Sequence, residues 1–75
     1  MDIADILFHV HPTLSAEQRA KIEDALLGSK GVVAATFSPT HSHMLTVAFD
    51  PEAAHAAQLL QIVREWDKAA VMVGL

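Results

Sequence analysis

The stretch that decides the fold is MLTVAFDPE, residues 44–52. Large apolar side chains occupy every second position of its first part, which is the pattern of a β-strand with one buried face. These positions are Leu45, Val47 and Phe49. Asp50 then precedes Pro51, and this pair is typical of a helix N-cap followed by the first helical position. The stretch therefore predicts a strand over 44–49 and a helix from Asp50 to about residue 66.

The rest of the chain supplies further elements on both sides of this strand–helix unit. Alternating apolar residues predict strands over 3–11 and 32–37, and a shorter apolar run predicts a last strand over 69–73. A capping box formed by Ser15 and Gln18 predicts the start of a first helix. That helix is expected to end at the glycine-rich stop before the second strand.

The resulting order, β-α-β-β-α-β, predicts the α+β class and a ferredoxin-like sandwich. Its expected form is a four-stranded antiparallel sheet in the order 4-1-3-2 with two helices on one face. The length of 75 residues suits one domain, so we expect a single domain over residues 1–75. The first strand is expected to turn Ile6, Phe8 and Val10 toward the helices, and the opposite sheet face stays open unless a partner covers it.

Composition argues against several classes of function. The sequence contains no cysteine, which excludes disulfides, thiolate metal sites and cysteine nucleophiles. A net charge of -4 with five lysines and arginines argues against nucleic-acid binding. No apolar run approaches the ~18 residues of a membrane span, and the N-terminal residues are acidic, so we expect a cytoplasmic protein without membrane insertion. No nucleophile–base pair stands out, so neither an enzyme nor an organic cofactor is expected.

Short motifs at fold positions carry a family resemblance. They are Phe8-x-Val10, Ile22-Glu23-x-Ala25-Leu26, Gly31-Val32 and Phe49-Asp50-Pro51. Together they resemble the heavy-metal-associated domain family, which includes copper chaperones, mercury-binding proteins and domains of metal-pumping ATPases. The resemblance implies a copper-chaperone-like fold and a metal ion as partner. The family holds its metal in a Met-x-Cys-x-x-Cys loop, whose positions fall here on Thr13, Ser15 and Gln18, so the chain is similar to a variant without the cysteine pair.

The five histidines are the strongest functional signal, because four of them form two pairs with i, i+2 spacing. Side chains at i and i+2 of a strand share a face, so His9 and His11 are expected side by side on the open sheet face. The topology brings the turn that carries His41 and His43 to the same end of the sheet, although strict alternation along the third strand would turn His43 inward. Imidazole suits Cu, Ni, Zn or Co ions, and methionine adds a soft contact. The predicted metal ligands are His9, His11, His41, His43 and Met44.

Two other interpretations of the open face remain. The histidines also suit a solvated sheet face and a surface turn. The mildly apolar open face, with Leu7, Ala34 and Ala48, also suits a protein partner or a homodimer. The predicted function is therefore metal delivery or sensing through histidines, and the alternative is a metal-free interaction or dimerisation module.

Overall fold

The computed structural model describes residues 2–11 and 13–73. Its elements are β1 (Ala4–His9), α1 (Ala16–Leu27), β2 (Val32–Phe37), β3 (Met44–Phe49), α2 (Ala56–Arg64) and β4 (Val71–Met72). The strands form one antiparallel sheet in the order β2-β3-β1-β4, which is the predicted order 4-1-3-2 read from the opposite edge. The ferredoxin-like α+β fold is therefore confirmed.

The hydrophobic core lies between one face of the sheet and the two helices. Alternate side chains of β1 and β3 are buried there, because successive side chains of a strand point to opposite faces. The most completely buried members of the core are Phe8, Ile22, Leu26, Leu45, Val47, Leu59 and Val63. Burial of each stabilises the fold by about 1.5–3 kcal/mol relative to an exposed side chain. The opposite sheet face carries His9, Thr46 and Ala48, and no element of the described chain covers it.

The capping box predicted for α1 is confirmed. The Ser15 hydroxyl accepts from the Gln18 backbone N–H at 3.1 Å, and the Gln18 side chain accepts from the Ser15 N–H at 2.8 Å. These bonds satisfy two backbone donors that the first turn of a helix leaves free. In the described ranges, neither α1 nor α2 is long and apolar enough to cross a membrane.

The start predicted for the second helix was wrong. The helix begins at Ala56 with His55 as its N-cap, while Asp50 forms a turn directly after β3. The Asp50 carboxylate accepts from the Glu52 N–H at 3.0 Å, and the Asp50 carbonyl accepts from the Ala54 N–H at 2.9 Å. An aspartate followed by proline is as typical of a β-turn as of a helix start, and here the turn is formed.

Two element ends also differ from the prediction. The second helix ends at Arg64, and Trp66 packs against the core from the turn that follows. The first strand spans Ala4–His9 instead of 3–11, so His11 lies beyond the paired part of the strand. The prediction that both side chains lie on the open sheet face assumes strand geometry. It therefore applies to His9 but not to His11.

The last strand is much shorter than predicted, at Val71–Met72 instead of 69–73. The segment before it is held in a turn, because the Asp67 carboxylate accepts from the Ala69 N–H at 3.0 Å. A backbone N–H that bonds to a side chain in a turn is not available to a strand ladder.

Candidate metal centre

The end of β1 and the turn between β2 and β3 lie side by side. The Val10 N–H donates to the His43 carbonyl at 2.8 Å, which fastens the two segments together. In the antiparallel register, His9 lies directly opposite Met44. The β2–β3 turn therefore reaches the sheet end that carries His9, as the predicted topology required.

The imidazole rings of His9 and His43 are in contact. Their centroids are 4.8 Å apart and the rings are nearly perpendicular, at 84°. Two imidazoles on one tetrahedral ion, with metal–nitrogen bonds of about 2.0–2.1 Å, have their centroids roughly 5 Å apart. The two rings therefore already have the separation that a shared ion requires.

His43 does not follow the strand alternation that would have turned it inward. The third strand begins at Met44, and the Met44 N–H donates to the His41 carbonyl at 2.9 Å, so the chain before it is a turn. His41 and His43 have ring centroids 5.8 Å apart at an angle of 68°. This separation is wider than the roughly 5 Å of two imidazoles on one tetrahedral ion, so the exposed His41 must move with its turn to join His9 and His43.

His11 has its Nδ1 atom in a local contact. The Thr13 N–H donates to His11 Nδ1 at 3.2 Å, and the Thr13 hydroxyl lies 2.6 Å from the same nitrogen. A nitrogen that accepts a hydrogen bond carries no proton, so the neutral ring has its proton on Nε2. A metal binds His11 either at Nδ1, by displacing Thr13, or at Nε2, after the proton has moved to Nδ1, and on both routes the Thr13 N–H loses its acceptor.

An open cavity of about 380 Å³ lies above this end of the sheet. Its polar lining consists of His9, His11, His43 and Asp67, and Val71 forms part of its apolar wall. Sequence reasoning missed Asp67 as part of the site. Its carboxylate accepts from the His11 N–H at 2.7 Å, which ties the loop after α2 to the end of β1. A bond between residues so far apart in the chain leaves no local pattern that would have revealed it.

The predicted ligands are therefore arranged around one central pair. His9 and His43 are in contact, His11 lines the same cavity, His41 lies beyond His43, and half-buried Met44 pairs with His9 in the register. Among the residues that the structure describes, no group of three or more His, Asp or Glu side chains is gathered closely enough to hold a metal ion. What the arrangement offers is one pair of imidazole rings in contact on an open surface.

The positions that correspond by resemblance to the thiolate loop have other roles here. Ser15 and Gln18 are bonded to each other's backbone in the α1 cap, and Thr13 is bonded to His11. Hydroxyl and amide groups are poor ligands for the soft ions that thiolates bind. This loop therefore contributes to the site through the bonds from Thr13 to His11.

Several solved structures share this architecture. An oxidized MerP from Ralstonia metallidurans matches with a TM-score of 0.76 and 11% identity, over 97% of each chain. The mercury-bound form of MerP, the periplasmic protein from the bacterial mercury detoxification system, matches with a TM-score of 0.74 and 15% identity, over 95% of this chain and 97% of that one. A copper binding domain from HMA7, a P-type ATPase, matches with a TM-score of 0.74 and 20% identity, over 95% and 92% of the two chains.

In sequence, no family model matches this chain, and a search of curated proteins finds no match. The structural likeness covers nearly the whole chain, whereas the identities with these structures stay at or below 20%. What the chain has in common with these solved structures is therefore its ferredoxin-like fold.

Proposed function

We propose that this protein binds a transition-metal ion (Cu, Ni, Zn or Co) through histidines and acts in metal delivery or sensing. The observation that carries the proposal is the contact between His9 and His43, with ring centroids 4.8 Å apart on an uncovered sheet face. Support also comes from the fold, because proteins with this fold include mercury-bound MerP and a copper binding domain. In this proposal the protein is a cytoplasmic carrier or sensor and not an enzyme.

The proposed ligands have graded roles. His9 and His43 provide the first two nitrogen ligands, because their ring centroids already have the separation of two imidazoles on one ion. His41, His11 and Met44 surround this pair and are the candidates for additional contacts. An exposed site of this kind suits an ion that is passed on, since both ligand exchange and docking of a recipient need access.

Isothermal titration with Zn(II), Ni(II) and Cu(II) tests the proposal directly. The variants are His9→Ala, His43→Ala and, as matched control, His55→Ala at the N-cap of α2. We expect binding by the unmodified chain, a loss of about tenfold or more in affinity in each of the first two variants, and no loss in His55→Ala. Equal affinity in all four proteins, or binding that only His55→Ala removes, would contradict the assignment.

A metal-free interaction module remains the second candidate, because part of the open surface is apolar. Val71 is 48% exposed and Val73 is 54% exposed, and Val71 lies on the edge strand β4, directly opposite His9 of β1. This function predicts self-association or partner binding that a chelator leaves unchanged. Sedimentation velocity with and without EDTA separates the two functions. A complex that dissociates in EDTA depends on a metal ion and supports the metal-binding function.

A further inference from the structure

We propose that two copies of this chain share one metal ion, each copy contributing His9 and His43. The inference rests on the proposed function and adds the partner and the stoichiometry of the same site. The resulting assembly is a dimer with twofold symmetry and one ion on its axis, in which neither copy alone completes the coordination.

The number of preformed ligands per chain leads to this stoichiometry. Structural zinc sites are four-coordinate and tetrahedral, and each chain presents one pair of rings at the required separation. The nearest further imidazole of the hairpin, His41, is 5.8 Å from His43 between centroids, and His11 Nδ1 is bonded to Thr13. Two ready pairs from two copies make four nitrogen ligands with less rearrangement than three or four ligands from one copy.

The surface beside the pair suits close approach of a second copy. In the register between β1 and β4, Val71 lies opposite His9, and the Val73 N–H donates to the Leu7 carbonyl at 2.8 Å. Val71 and Val73 are 48% and 54% exposed, so an apolar strip runs next to the imidazoles. Covering this strip removes apolar surface from water, and the favourable free energy is about 25 cal/mol for each Å² buried.

Charge also favours the ion-bridged dimer over a metal-free one. Each chain carries a net charge of -4, so two copies repel each other in general. The Asp67 carboxylate lines the same cavity as His9 and His43, and Asp5 lies near the other end of β1. A divalent cation between the two faces supplies positive charge where the copies meet, so dimerisation is expected to require the metal.

The experiment is a sedimentation-velocity titration of the full chain with ZnCl₂, combined with measurement of bound zinc per chain. We expect a monomer without zinc, the largest dimer fraction near 0.5 zinc per chain, and return to monomer after EDTA. Excess zinc should reduce the dimer again, because each copy then binds its own ion. His9→Ala and His43→Ala should remain monomeric with zinc, and His55→Ala should dimerise like the unmodified chain.

A second variant, Val73→Lys, separates the shared site from metal binding alone. It leaves both imidazoles in place and introduces an ammonium group at the contact, and this group does not bind zinc at neutral pH, so the zinc dimer should weaken about tenfold or more while each chain still binds zinc. Binding of one zinc by each monomeric chain would overturn the shared site but not the proposed function. Loss of zinc binding in His41→Ala would have the same consequence. No zinc binding at all would overturn both proposals. A dimer that persists in EDTA would overturn the shared site and support the metal-free alternative.

Discussion

Gly31→Ala probes the contact between the turn before β2 and the turn after β3. Gly31 has a φ of +88°, in the left-handed region that residues with a Cβ rarely adopt. A Cβ added there would lie 2.9 Å from the Ala53 Cβ and 3.0 Å from the Ala54 Cβ, which is closer than ordinary contact. The Gly31 carbonyl accepts from the Asp50 N–H at 2.7 Å, so the opposing turn cannot move away without losing this bond.

Two energetic costs add in this variant. The left-handed conformation costs alanine about 1–2 kcal/mol, and a methyl group forced into a packed contact costs about 1–3 kcal/mol. A chain of 75 residues has a total unfolding free energy of roughly 4–11 kcal/mol. We therefore expect Gly31→Ala to lose about 3 kcal/mol, which lowers Tm by more than ~10 °C.

Urea unfolding of the metal-free protein, followed by circular dichroism, measures this loss as the change in extrapolated unfolding free energy. Gly28→Ala is the matched control, because Gly28 has a φ of -78° and an added Cβ would meet its nearest atoms at 3.4 and 3.6 Å. Its stability should change by less than about 1 kcal/mol. If Gly31→Ala were as stable as Gly28→Ala, the contact between the two turns would not contribute the stability assigned to it.

Three further predictions concern the metal ion and the helix contacts. Zinc affinity should fall as the pH is lowered from 7.5 to 5.5, because a protonated imidazole cannot bind a metal ion, and calorimetry should show the same fall in His55→Ala. Ser15→Ala should cost about 1 kcal/mol in urea unfolding through loss of the α1 cap, and Ser15→Asn should restore most of it. Glu23→Ala should lower the unfolding free energy by about 1–2 kcal/mol, because the Phe37 N–H loses the carboxylate that accepts from it at 2.9 Å. Glu23→Gln should lower it less, because the amide oxygen remains as an acceptor. Equal losses of stability in the two variants would refute this reasoning.

Local patterns were sufficient for most of the fold. The alternation of β3 and the Ser15–Gln18 capping box depend on near neighbours in sequence, and both are present as predicted. The pair Asp50-Pro51 misled because its local preferences fit a turn and a helix start equally well. The bond from Asp50 N–H to the Gly31 carbonyl belongs to the turn that formed, and this contact is not visible in either segment alone.

The candidate site depended more strongly on tertiary contacts. Spacing drew attention to the histidines at this end of the sheet, but it treated His9 and His11 as the pair. In the structure, β1 ends at His9. The ring of His43 contacts the ring of His9, because the Val10 N–H donates to the His43 carbonyl and holds the two segments together. This bond joins two segments far apart in sequence, so which histidines meet depends on how the hairpin is placed and not on spacing.

His11→Ala tests this distinction between spacing and contact. The Nδ1 atom of His11 is bonded to Thr13, and ligation through Nε2 costs the ring its present tautomer and a hydrogen bond worth about 1 kcal/mol. A ligand that must first give up such a bond adds little net affinity, so His11→Ala should change zinc affinity by less than about threefold, where His9→Ala changes it by about tenfold or more. Calorimetric titration of both variants at pH 7.5 measures the difference. Equal losses would show that His11 binds the ion as strongly as His9, and would refute the reasoning from the Thr13 bond.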